Sequence, residues 1–443
     1  LSPRRAGAGM IIRTEPLDSS LEGELWPPGD KSISHRSLIM DSLASGQSRI
    51  EGLLESADVM ATAEACRQLG MTLVEEGQSL RVNGVGLNGL SAPAAPLDMG
   101  NSGTAMRLLA GVLAAQPFQS TLIGDHSLSN RPMRRIVHPL SLMGAKIDTE
   151  ANGTPPLVIH GNPNLEGIHY TSPVASAQVK SCLLLAGLYA QGRTCVSEPR
   201  TSRDHTEKML PTFGVEVGKD CSVQGGSQLT AAEVKVPGDI SSATFFLVAG
   251  AMIPGSSLVL HAVGLNQTRD GILKVLAAMG AELEVENRRF FGEEPVGDIR
   301  IRFKGPLKGI DLPVEWVPSL IDELPAIMAL ASVSDGVTRI RGAEELRVKE
   351  SDRIAVMARG LEIMGVTLKE YPDGIDIEGG SVCGGQVDGA GDHRCAMSFC
   401  VLGQLATTPV LITGSENINT SYPGFMKDLK AVGGCVSEVI RND

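Results

Sequence analysis

The residues best suited to chemistry sit at small, glycine-rich turns. Gly29-Asp30-Lys31-Ser32 carries Lys31 and Ser32, with Arg36 one helical turn further on. Gly124-Asp125-His126 leads to Arg131 and Pro132, while Lys349-Glu350-Ser351-Asp352-Arg353 and Gly391-Asp392-His393-Arg394 complete the basic set. If helices begin at these turns, their free N–H groups and positive dipole ends form anion sites. Arg131 beside Pro132 then reads as one more helix start, and Lys349 and Arg353, four apart, as neighbours on one helical face. Each motif also has a plainer reading. A cation beside such a turn is commonly a solvated cap, and the Glu344 to Arg353 run can be ion pairs on an exposed helix. Asp322-Glu323 and Lys349-Glu350 can be surface charge, and His35, His126, His205 and His393 each read as structural before catalytic.

What raises these turns above background is their place in a repeat. A unit of roughly 70 residues recurs six times, longer than a solenoid repeat. Its first half is a small-residue turn followed by an Ala/Leu-rich helix, as in Ser34–Ala44 and Thr104–Ala115. Further copies start at Ala175-Ser176-Ala177-Gln178, Gly238-Asp239-Ile240-Ser241, Ser319-Leu320-Ile321-Asp322-Glu323 and Gly391-Asp392-His393-Arg394. The second half is an amphipathic helix ending in glycine: Leu69-Gly70, Met143-Gly144, Phe213-Gly214, Met279-Gly280, Met364-Gly365 and Val432-Gly433. Glycine after the last periodic residue is the expected left-handed C-cap. Helices alternating with short strands make this an α/β chain with mixed sheets. The opening Pro28-Gly29-Asp30 recurs as Pro237-Gly238-Asp239, so the six units divide into two groups of three there; one continuous array is the alternative. A pseudo-symmetric fold would gather the equivalent basic turns into one cleft for a multiply anionic ligand.

Composition bounds the partners. At 443 residues, 42% hydrophobic and 20% charged, the chain reads as a soluble globular protein of two or three domains. Aromatics are 3% and glycines number 51, so the cores must be built from Leu, Ile, Val, Ala and Met. A net charge of −12 argues against a nucleic-acid partner and leaves any anion to local basic clusters. The eight cysteines have no Cys-x-x-Cys spacing and read as buried thiols of a reducing, cytoplasmic compartment, with no metal site. No apolar run reaches the roughly 18 residues that span a bilayer. Leu1 to Met10 lacks the apolar core of a signal peptide and reads as a frayed or added end.

With the turns laid out, the sequence resembles the enolpyruvyl transferases. The resemblance rests on Pro28-Gly29-Asp30-Lys31-Ser32-Ile33-Ser34-His35-Arg36, Gly100-Asn101-Ser102-Gly103-Thr104-Ala105-Met106-Arg107, Asn130-Arg131-Pro132-Met133 and Ala175-Ser176-Ala177-Gln178-Val179-Lys180-Ser181. It continues through Ser202-Arg203-Asp204-His205-Thr206-Glu207-Lys208-Met209, Ile321-Asp322-Glu323, Glu345 to Arg353, and Asp392-His393-Arg394-Cys395-Ala396-Met397-Ser398. These segments span nearly the whole chain in the family's order.

The resemblance implies two similar domains, each of three βαβαββ units in an inside-out α/β barrel, joined by two hinge crossings around a cleft. One would be 29–237 and the other 1–28 plus 238–443. It implies a monomer without cofactor that uses two small molecules, phosphoenolpyruvate and shikimate 3-phosphate. Lys31 is similar to the lysine that touches both, and Gln178 would lie between them. Ser32, Arg36, Ser176, Ala177 and Lys349 match positions around shikimate 3-phosphate, with Arg203 beside them. Gly103, Arg131, Arg353 and Arg394 match positions around phosphoenolpyruvate, with Asn101 close by. Asp322 and Glu350, with Lys31, match the groups assigned to catalysis. The family's C-terminal lysine is absent, its position being held by Thr420. Inhibition by glyphosate is implied, with the room beside Gly103 deciding its strength. Two rivals stay open: the family branch acting on UDP-N-acetylglucosamine, whose loop cysteine is replaced here by His126, and a non-catalytic anion-binding repeat protein.

Overall fold

The structure, a computed structural model, describes residues 10–439. The reading of the N-terminal end falls outside them except for Met10. The chain is mixed α/β and divides into two compact units: Gly29–Pro237 with Arg289–Pro295, and Leu1–Pro28 with Gly238–Arg288 and Val296–Asp443. We call them the central unit and the flanking unit. The short segment Arg289–Pro295 has no sequence signal that assigns it to the central unit.

Helices of the central unit are α1 (Lys31–Leu43), α2 (Ala57–Gln68), α3 (Gly103–Ala114), α4 (Arg134–Leu142), α5 (Ala177–Gly187) and α6 (His205–Met209). The starts of α1, α3 and α5 are set by Asp30, Ser102 and Ser176, whose side chains accept from Ile33 N (2.9 Å), Ala105 N (3.1 Å) and Val179 N (3.4 Å). Three sheets accompany them. Ala44–Glu51 lies antiparallel to Ser79–Val85 and parallel to Glu233–Lys235. Ser120–Ile123 lies parallel to Leu97–Asp98 and antiparallel to Leu157–Ile159. Arg193–Ser197 lies parallel to His169–Thr171 and antiparallel to Ser222–Gln224.

The flanking unit holds α7 (Ile240–Met252), α8 (Gly271–Ala278), α9 (Leu324–Ala331), α10 (Arg353–Ile363), α11 (His393–Leu402) and α12 (Phe425–Ala431). Asp239, Asp352 and Asp392 cap α7, α10 and α11 with their side chains; α9 follows Glu323 with no such bond. Its sheets begin with Ser257–Gly264, parallel to Glu22–Leu25 and antiparallel to Glu294–Arg302. Gly374–Glu378 forms a second between Val337–Ile340 and Thr367–Tyr371. In the third, Ile11–Thr14 lies antiparallel between Val410–Thr413 and Val436–Val439. Glycines 70, 144, 214, 280, 365 and 433, after the second-half helices, all have φ between +80° and +112°, which side-chain-bearing residues avoid.

Each unit has its own apolar core. The central core is aliphatic apart from Phe213, as the composition implies, but the flanking core is not. There Phe245, Phe246, Tyr422 and Phe425 cluster with ring centroids 5.6–6.0 Å apart. Scarcity over the whole chain hid a local concentration. The thiols also depart from expectation: all eight cysteines are unpaired, yet only Cys66, Cys182, Cys395 and Cys400 are buried. The ends of the central segment are clasped by backbone bonds, Asp30 N donating to Pro237 O (2.8 Å) in the central unit and Asp239 N to Pro28 O (2.8 Å) in the flanking unit. Among the described residues, no helix is long and apolar enough to cross a membrane.

Candidate active site

In the central unit the predicted residues collect at the starts of α1, α3 and α5. Lys31, the first residue of α1, reaches Asp58 Oδ2 at 2.5 Å. Arg36, one turn on, is 3% exposed. Its guanidinium donates to Thr206 Oγ1 (2.8 Å), Ser181 Oγ (2.8 Å) and the Ser32 carbonyl (2.9 Å), all neutral oxygens. Burial pushes its pKa down to about 10, with nearby Arg203 adding to the effect and Glu207 and Asp30 opposing it. A solvated cap this is not. His35 bridges Thr62 Oγ1 (2.8 Å) and Ser102 Oγ (3.3 Å). Burial, with Lys31 and Arg36 alongside, lowers its pKa well below the ordinary imidazole value, so the ring is neutral and structural.

Arg131 corrects one expectation. It does not begin a helix: it closes the short 3₁₀ turn Leu128–Asn130, and α4 starts only at Arg134. The turn nevertheless aims it at α3, with Nη2 donating to Asn101 Oδ1 (2.7 Å) and Ser127 Oγ (3.2 Å). Asn101 donates in turn to Asp125 Oδ2 (2.8 Å). Gly103 opens α3, and a Cβ there would lie 3.1 Å from Arg107 Nη1 and 3.3 Å from Arg131 Nη1. Two guanidinium groups thus border one helix start, a setting for an anion. Ser176 caps α5 and its N–H donates to Glu198 Oε1 (2.7 Å); Ala177 and Gln178 follow in the first turn.

In the flanking unit, Arg353 is the centre. It is 1% exposed, and its three nitrogens reach Asp392 Oδ2 (2.8 Å), Asp322 Oδ1 (3.1 Å) and Glu350 Oε2 (2.6 Å). Burial alone would lower its pKa, but Asp392, Glu350 and Asp322 outweigh burial and hold it well above the ordinary value. Lys349 Nζ stands 3.6 Å from the same Asp322 oxygen, and Arg394 Nη1 donates to the Asp322 carbonyl (3.3 Å). The shared helical face expected for Lys349 and Arg353 is therefore wrong. Glu344–Val348 is a 3₁₀ turn, Asp352 caps α10, and Lys349 lies outside the helix; the two cations meet on Asp322 from different elements. Nor is the run an exposed helix of ion pairs. Arg347 pins its turn by donating to Glu370 (2.9 Å), Asp352 (2.8 Å) and the Pro372 carbonyl (2.7 Å). Thr420 donates its hydroxyl to Asn417 O (2.7 Å), so it supplies no charge where a lysine was expected.

A guanidinium that cannot lose its proton, bonded to three carboxylates of which Asp322 and Glu350 are part-exposed, is equipment for proton transfer next to fixed positive charge. The profile of EPSP synthase (3-phosphoshikimate 1-carboxyvinyltransferase) matches residues 17–429. The chain belongs to the EPSP synthase family. A 3-phosphoshikimate 1-carboxyvinyltransferase of Xanthomonas campestris is 52% identical over 411 residues, 92% of this chain and 94% of that one. The one from Coxiella burnetii is 51% identical over 418 residues, 93% of this chain and 95% of its own. Among solved structures, EPSP synthase from Acinetobacter baumannii superposes with a TM-score of 0.87 at 46% identity, covering 97% of this chain and 100% of that one.

In the central unit of this EPSP synthase-family chain, two groups escaped sequence reasoning. Lys180 is almost fully buried and paired with Glu207 (2.7 Å) and Glu198 (3.1 Å); burial works to lower its pKa, and the two carboxylates together raise it. Arg107 donates to Gln178 Oε1 and to the Pro132 carbonyl. Both residues stood inside matching motifs, where only contacts across the fold single them out.

Proposed function

We propose that this chain transfers the enolpyruvyl group of phosphoenolpyruvate to the 5-hydroxyl of shikimate 3-phosphate, releasing phosphate, in the shikimate pathway of aromatic amino-acid biosynthesis. The observation that carries the reading is the Arg353 centre, which holds Asp322 and Glu350 at 3.1 and 2.6 Å within a chain of this family. In this reading Asp322 takes the proton of the attacking hydroxyl as its oxygen bonds to C2 of phosphoenolpyruvate. Glu350, with Lys31, delivers a proton to C3, giving a tetrahedral ketal phosphate. Phosphate then leaves with the C2–O bonding pair, and Glu350 takes back a C3 proton to restore the double bond. Proton transfers of this kind contribute about 10²–10⁴-fold each.

The binding roles follow the same reading. Ser32, Arg36, Ser176, Ala177, Arg203 and Lys349 serve shikimate 3-phosphate. Asn101, Gly103, Arg131, Arg353 and Arg394 serve phosphoenolpyruvate, and Lys31 and Gln178 serve both. Arg36 suits a substrate anion because its guanidinium is buried among neutral oxygens. The fold is taken as two domains, 29–237 and 1–28 with 238–443, each of three βαβαββ units in an inside-out α/β barrel. Three sheets in each unit, and the six capping glycines, support that reading. A monomer acting in the cytoplasm completes it, supported by eight unpaired cysteines.

One assay tests the function: phosphate release from phosphoenolpyruvate with shikimate 3-phosphate or with UDP-N-acetylglucosamine as acceptor. Release with the first acceptor alone is expected. Release only with the second, or with neither, would overturn the proposal.

A further inference from the structure

Gln178 sits at the first turn of α5, where its side-chain amide can present either a hydrogen-bond donor or an acceptor to a ligand. The two choices are opposite in consequence, because an anionic ligand accepts an N–H and repels a carbonyl oxygen. The contacts of Gln178 show what decides. Its Nε2 donates to Thr104 Oγ1 at 2.9 Å, and its Oε1 accepts from Arg107 Nη1. Thr104 cannot set the orientation, since a hydroxyl donates and accepts equally well and would satisfy the flipped amide too. Arg107 can. A guanidinium carries donors only, so the amide must turn its oxygen towards it. That leaves the second Nε2 proton for a ligand oxygen. Arg107 is itself held by a bond from Nη2 to Pro132 O (3.3 Å), and its Nη1 stands over Gly103.

We propose that Arg107 is a positioning residue that locks the polarity of Gln178, so that this side chain always offers an anionic substrate a donor. The inference rests on the enolpyruvyl-transfer reading. Losing a charge-assisted bond of this sort and turning an acceptor on the substrate should cost roughly ten- to a hundredfold in kcat/KM.

A double-mutant cycle on the full chain tests it, with kcat and KM measured for both substrates in wild type, Arg107→Met, Gln178→Ala and the double variant. Arg107→Met should lower kcat/KM by that factor, whereas adding it to Gln178→Ala should change kcat/KM less than about threefold, because there is no amide left to orient. Arg107→Lys, which keeps a donor-only cation, should recover most of the activity. Equal losses in both backgrounds would mean that Arg107 acts on its own or on folding at large, and would overturn the proposal. So would an Arg107→Met variant as active as wild type. If Arg107→Met does not fold, the Arg107→Lys arm of the cycle decides: activity near wild type supports the proposal, and a loss of the same size with and without Gln178 sinks it. A wild-type chain inactive with both substrates would instead defeat the functional reading, before any variant is compared.

Discussion

Asp392 of the flanking unit and Asp41 of the central unit are both completely buried acids, and they sit at opposite electrostatic extremes. Burial raises the pKa of either. Around Asp392 the Arg353 guanidinium, with His393, overcomes burial and holds the acid below the ordinary carboxylate range. Asp41, inside α1, has no cation, and its pKa rises to about 8. The arginines invert the pattern: Arg353 is raised by three carboxylates, while Arg36, among hydroxyls and a carbonyl, is lowered to about 10. The charge of Arg353 is thus met by carboxylates in direct contact, as is that of Lys180 in the central unit, while the Arg36 guanidinium bonds only hydroxyls and a carbonyl. The first arrangement suits fixed catalytic carboxylates, the second a site that an incoming anion completes.

The sharpest way to break this contrast is at the carboxylates. Asp322→Asn and Glu350→Gln should each reduce kcat by about 10²–10⁴-fold while the melting temperature moves little. Near-normal turnover in either would remove that residue from proton transfer. Next come the arginines. Arg353→Met strands Asp392 in the interior and should cost about 3–5 kcal/mol in denaturant unfolding. Arg36→Met should cost only about 1 kcal/mol, because Ser181 and Thr206 still bond each other at 2.6 Å, while affinity for shikimate 3-phosphate collapses. Equal stability losses would erase the distinction between the two arginines.

Asp41 makes the contrast visible in pH. Its folded pKa is raised, so between about pH 4 and pH 8 the native state holds a proton that the unfolded state has lost. Stability therefore falls as pH rises through that window, by about 1.4 kcal/mol per unit, and levels off above it. Asp41→Asn should flatten the slope in unfolding curves taken at pH 5, 7 and 9; an unchanged slope would contradict the assignment. The smallest effect is expected for Gly103→Ala. The added Cβ, 3.1 Å from Arg107 Nη1, displaces a flexible side chain by a few tenths of an ångström, so KM for phosphoenolpyruvate should rise only a few-fold while glyphosate inhibition weakens. Unchanged inhibition would show that the space beside Gly103 does not matter.

Local rules made much of this legible. Asp30, Ser102, Ser176, Asp239 and Asp392 were readable as helix starts because capping depends on a few consecutive residues. The six glycines were readable as helix ends for the same reason. The failures lie where neighbours in space are distant in sequence. Nothing near Arg107 announces Gln178, 71 positions away, nor does anything near Arg36 point to Thr206, 170 positions away. Lys349 to Arg353 misled differently: the spacing is helical, but Asp352 competes as a cap and moves the helix start past Lys349.

The strand Ile11–Thr14 has a further consequence. It completes a sheet whose other members, Val410–Thr413 and Val436–Val439, lie some 400 positions on in the chain. The segment Gly29–Pro237, by contrast, contains every helix of its unit and all of its three sheets. On the ribosome that segment can reach its native form while the remainder is still being made, and only Arg289–Pro295 arrives later. Ile11–Thr14 leaves the ribosome long before its two partner strands and must wait for them. It is made early in this chain and paired late.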